Sequence, residues 1–172
     1  MTIASRFTRD SAEYLGATYL SRLNRVLQVI DEEDLWWSPQ EGALSIGTIL
    51  RHLEGNVRQW ILSGLAGWPD QRERAREFAD GPGDEAKVLF ERMITTVQAA
   101  ANHIAGMSER DLETQYDIQG SSVTGIYAVL HVVEHFSWHT GQAVWIAKSR
   151  AGADHGIQFY DEDAINAAKN RR

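Results

Sequence analysis

Four long segments of this chain repeat their apolar residues every three to four positions, and none alternates them at every second position. That period belongs to helices with one buried face and argues against a sheet protein. The first segment covers about 5–30, with Phe7, Tyr14, Leu15, Leu20, Leu23, Val26, Leu27 and Ile30 recurring at helical spacing. The second covers about 45–65 and opens at Ser45, a good N-cap residue. Its apolar side is Ile46, Ile49, Leu50, Leu53, Val57, Trp60 and Ile61. The third covers about 84–104, the fourth about 122–149, and a short helix is predicted at 161–169. Pro39 and Gly42 break the pattern after the first segment. A long polar connection lies between Gly67-Trp68-Pro69 and Gly81-Pro82-Gly83, with room for one helical turn. Ser108 can cap a turn in the next connection. Four amphipathic helices of similar length predict an all-α four-helix bundle, one domain over 1–172. The connection between helices 2 and 3 is long enough to cross the bundle, but spacing alone does not fix the helix order.

Charge and composition narrow the function. A net charge of -7 gives no basic face for phosphates, so no nucleic-acid partner is expected. No apolar run is long enough for a membrane span, and the first residues lack the apolar core of a signal peptide. There is no cysteine. Thiolate metal sites and disulfides are therefore excluded, and any thiol chemistry must use a thiol from outside. A cytoplasmic protein is the expectation.

Three of the six histidines, His131, His135 and His139, fall four residues apart in "HVVEHFSWHTGQ". Residues four apart share one helix face, so an adjacent pair can offer two ring nitrogens to one ion. All three cannot, because positions eight apart are about 12 Å apart along the axis. A metal site would use one adjacent pair and draw its other ligands from elsewhere. His52, on the second predicted helix, is the obvious donor. The plain alternative is a set of core histidines bonded to backbone and carboxylates. His103 and His155 have no partner at useful spacing and read as structural or surface residues. The order His131-Val132-Val133-Glu134-His135 is not the HExxH of zinc proteases, and Glu134 points about 100° away from His135.

Asn56 lies one turn after His52, and Gln142 three residues after His139. Either could line a pocket or hold a metal ligand in orientation, or be an ordinary buried amide. His131 belongs with them. Arg58 and Gln59 could reach an anionic substrate but read first as a solvated helix face, and the tryptophans read as core or interface.

The residues His135, His139, Gly141 and Gln142 resemble the fourth-helix signature of the DinB-like proteins, which share a fold with bacillithiol- and mycothiol-dependent transferases. "SIGTILRHLEGNVRQWILSGLAG" resembles their second-helix segment, with its single histidine at His52, and "LWWSPQEGALSIG" resembles the lead-in. The likeness covers most of the chain, to about Lys148. It implies a long crossover between helices 2 and 3, a divalent metal on His52, His135 and His139, and a homodimer. Activity transfers less directly, because relatives include thiol-dependent transferases and proposed metal-dependent hydrolases. Zinc or nickel suits three imidazoles best, and iron or manganese is also accepted by such ligands. Two reactions follow for a small-molecule substrate. A low-molecular-weight thiol from outside could be activated as a thiolate, or water could be activated for hydrolysis. The sequence offers no convincing general base for the hydrolase, which favours thiol transfer. A non-catalytic metal- or ligand-binding protein is the third class.

Overall fold

The computed structural model describes residues 1–78 and 84–169. The expected Gly81-Pro82-Gly83 break lies outside them. The first long helix starts at α1 (Ile3–Glu13), passes through a π-helical turn at Tyr14–Tyr19 and continues as α2 (Leu20–Leu27). Thr2 caps it, its side chain accepting from the Ser5 amide. A short α3 (Glu32–Leu35) follows, which sequence reasoning treated as a break. Asp31 caps it, three acids fill its first turn where the helix dipole favours them, and Leu35 is buried.

The second long helix is α4 (Ile46–Val57) followed by a second π-helical turn, Arg58–Ser63. Ser45 caps it as expected, accepting from the Thr48 amide. The polar connection holds one helical turn, α5 (Arg74–Glu77). The third helix is α6 (Ala86–Gly106), and Ser108 starts α7 (Glu109–Glu113) with a reciprocal Ser108–Asp111 capping box.

One expectation fails. The fourth helix does not begin near Ser122, because the antiparallel strands β1 (Gln115–Ile118) and β2 (Ser121–Thr124) occupy that stretch. Gln119 and Gly120 turn the hairpin, both at positive φ (53° and 76°), as a two-residue turn between right-twisted strands requires. Only Ile118 of the hairpin is fully buried, so four-residue strands left no alternation to read. The fourth helix, α8 (Gly125–Ala151), starts at Thr124, which caps it through the Tyr127 amide. The helix α9 (Glu162–Lys169) lies where the last short helix was expected.

These helices form a four-helix bundle. α6 packs on α1 and α4, and α8 packs on α2 and α4. Their directions follow from contacts. A Cβ on Gly16 would touch Ala101, and the Ala86 amide donates to Glu32, so α6 runs opposite to the first helix. Tyr19 stacks on Phe136 and Arg150 bonds Asp34, so α8 runs with the first helix. His52 meets His135 and Trp60 meets His131, so α4 runs opposite to α8. α4 and α6 are therefore parallel neighbours. The chain between them must return along the bundle's full length, which makes it the expected crossover. No helix among the described residues is long and apolar enough to cross a membrane.

Candidate metal centre

The crossing of α4 and α8 brings together His52, His135 and His139. One nitrogen from each lies within 4.8 Å of the others. His52 is buried, at 6% exposure, and the other two are half-buried. His52 Nε2 is 3.1 Å from His135 Nε2. Two nitrogens bound to one zinc at about 2.0–2.1 Å would be separated by about 3.3 Å, so this pair is spaced for a single ion.

Hydrogen bonds select the free nitrogen on two of the rings. His52 Nδ1 is 2.9 Å from Glu77 Oε2. Burial alone would raise the Glu77 carboxyl, but hydrogen bonds from Arg72 and His52 outweigh it and hold the group low, as an ionised acceptor. His52 Nδ1 therefore carries a proton, which leaves Nε2, the nitrogen facing His135, as the ligand atom. His139 Nδ1 donates to Gln142 Oε1 at 2.6 Å, which likewise frees Nε2. The reading of Gln142 as an orienting residue thus has a direct contact behind it. Among the described residues, His135 Nδ1 is buried with no hydrogen-bond partner.

Asn56 and His131 lie beside the cluster. Asn56 is 4% exposed, and its Oδ1 has no hydrogen-bond partner among the described residues. On α4 it falls between His52, which faces His135, and Trp60, which faces His131. It therefore faces α8 at the level of those two histidines, where a ligand or water could use the spare acceptor. The His131 ring lies 4.0 Å from that of Trp60 and 5.6 Å from that of His135. It extends the stack and stays outside the three-nitrogen cluster. His103 and His155 are half-buried and are not part of the group.

Sequence reasoning missed the crossover's part. Glu77, Arg72 and Phe78 come from a stretch that read as a polar connection. The Phe78 ring packs 5.0 Å from that of His52. Gln59, half-buried, is tied to the crossover and the hairpin, since it bonds Asp70, Arg72 and Gln119. One available signal was Gly55, an unforced glycine inside a helix one turn past His52. A Cβ there would meet Glu77 Oε1 at 2.1 Å.

Burial is the main cause that lowers His135 to about 3, with the neighbouring His139, His52 and His131 and then Arg72 adding to it. Burial also lowers His139, against the opposing hydrogen bond to Gln142. A histidine held below its ordinary 6.5 gains a proton when the chain unfolds. Its neutral burial thus supports stability fully above 6.5, and that support is lost as pH falls towards 3. Metal-free protein should show a lower urea midpoint at pH 5 than at pH 7.5, and His135→Ala should shrink the difference. Equal midpoints would contradict this account of the buried imidazoles.

The model of DUF1572, described as a protein family of unknown function, matches residues 3–157. No curated protein matches the sequence. The fold is that of solved DinB-like proteins. A DinB-like protein from Bacillus cereus aligns with TM-score 0.64 at 16% identity, covering 83% of this chain and 91% of its own. One from Bacillus subtilis aligns with TM-score 0.64 at 16% identity, covering 88% and 97%. A conserved protein from Enterococcus faecalis gives TM-score 0.66 at 15% identity, covering 86% and 96%.

Proposed function

Because this chain belongs to the DUF1572 family and carries the DinB-like fold, we propose that it is a divalent-metal protein acting as a thiol S-transferase on a small molecule. His52, His135 and His139 hold the ion, zinc or nickel first, with iron or manganese also compatible. The observation that carries this reading is the convergence of three imidazoles, two of them with Nδ1 committed to an acceptor. When bound, such an ion supplies Lewis acidity that removes the proton from a coordinated thiol or water.

The chain's own residues favour the thiol. A hydrolase would call on a general base near the metal to take a proton from water, and neither nearby carboxylate is placed for it. Glu77 is bonded to His52 and to Arg72 through both oxygens, and is held low. Glu134 is exposed on the turn beside His135. With no cysteine in the chain, the sulfur is a cosubstrate, and a cytoplasmic setting keeps such thiols reduced. A second copy of the chain is the proposed partner, supported by an exposed apolar surface. Tyr127, Leu130, Trp138 and Trp145 expose an apolar stripe along α8, the tryptophans at 64% and 59%.

Cobalt-substituted protein provides the test. A small thiol that joins the site should add an intense sulfur-to-cobalt band in the near ultraviolet. A panel of cellular thiols that leaves the spectrum unchanged, while an ester or amide is turned over, would overturn thiol transfer in favour of hydrolysis. Binding without turnover of any electrophile would leave a metal- or ligand-binding protein.

A further inference from the structure

The crossover does more than join two parallel helices. Returning along the bundle, it brings Glu77 against α4 at the level of His52. The carboxylate is gripped on both oxygens. Oε1 accepts from Arg72 Nε at 2.6 Å, and Oε2 accepts from Arg72 Nη2 at 2.8 Å and from His52 Nδ1 at 2.9 Å. Arg72 is itself held, because its Nη1 donates to Gln59 Oε1 at 2.9 Å and its backbone amide donates to Asp70 Oδ1 at 3.0 Å. Gln59 Nε2 donates to Asp70 Oδ2 at 2.7 Å, and Gln119 Nε2, from the hairpin turn, donates to Gln59 Oε1. A chain of bonds thus runs from the hairpin through the second helix and the crossover to one imidazole.

We propose that Glu77 is the positioning residue of the metal centre, and that the crossover sets metal affinity through it. The proposal rests on the three-histidine reading above. Arginine has no acceptor and an ionised carboxylate has no donor. Of the groups touching His52 Nδ1, only Glu77 can take its proton. It fixes the tautomer and the ring plane, and aims Nε2 at the place where His135 Nε2 also points. Without Glu77, the ring can turn over and the buried N–H loses its acceptor. Gly55 is part of the arrangement, because any side chain there would occupy the position of the carboxylate.

The alternative is an ion pair that merely fastens the crossover down, and zinc affinity separates the two. Zinc alone is the probe, competed against a chelator, with urea stability of each metal-free variant measured alongside. Loss of such an orienting partner typically weakens metal binding about 10–100-fold. Glu77→Gln keeps an acceptor but loses the charge, and should sit near the lower value. Glu77→Ala should reach the upper one. Gly55→Ala, which displaces an unaltered Glu77, should fall between them. In metal-free protein at neutral pH, nitrogen-15 spectra should show His52 as the Nδ1–H tautomer, and as a mixture in Glu77→Ala. If wild-type protein binds zinc and all three variants match its affinity while losing stability, Glu77 only fastens the crossover and the proposal fails. If wild-type protein takes up no zinc, the metal reading fails and takes the proposal with it.

Discussion

Replacing His135 with alanine should drop zinc content from about one ion per chain to near zero, measured by elemental analysis of untagged protein. Structural zinc in small domains is worth about 10–16 kcal/mol over four ligands, so one imidazole carries roughly 3 kcal/mol, or about 100-fold in affinity. His52→Ala and His139→Ala should behave alike. His131→Ala should retain nearly full content, because its ring lies against Trp60 outside the cluster. If His131→Ala lost the metal while His139→Ala kept it, the binding pair would be His131 and His135.

The second large effect concerns the neighbour of that histidine. Phe136 is fully buried and stacks on Tyr19 with ring centroids 5.7 Å apart. Phe136→Ala should cost about 3–5 kcal/mol, read from the urea midpoint of metal-free protein. Trp138, two residues on, is 64% exposed, and Trp138→Ala should change the stability of one chain by less than about 0.5 kcal/mol. Its effect belongs to assembly: light scattering should give twice 19.3 kDa for wild-type protein and a lower mass for the variant. A wild-type mass of one chain would remove the dimer.

The difference between adjacent residues of α8 shows why much of this molecule was legible. The period that buries Phe136 also lines up His131, His135 and His139, and both follow from helix geometry. Ser45 and Ser108 marked helix starts because their side chains satisfy free backbone amides there. His52 could be paired with the α8 histidines because bundle helices face each other. The crossover's contribution was hidden for a physical reason. Glu77 is twenty-five residues from His52 in sequence. Charged side chains in a polar connection carry no periodic sign of which one is buried. The hairpin was hidden because four-residue strands with one buried side chain display no pattern.

The π-helical turn at Arg58–Ser63 bears on how the chain compares with its relatives. Such a turn is an α-helix that has accommodated one extra residue. Past it, side chains are rotated by about 100° from where an uninterrupted helix would put them. A relative with a plain α-helix here would reach the same spatial positions one residue sooner. The histidine on this helix lies before the turn and would align without a gap, whereas Gly64 and Leu65, past it, would need one. Deleting one residue between 58 and 63 is accordingly the shortening this helix is best built to absorb. An alignment that forbids gaps in helices would compare the wrong faces over the rest of the segment.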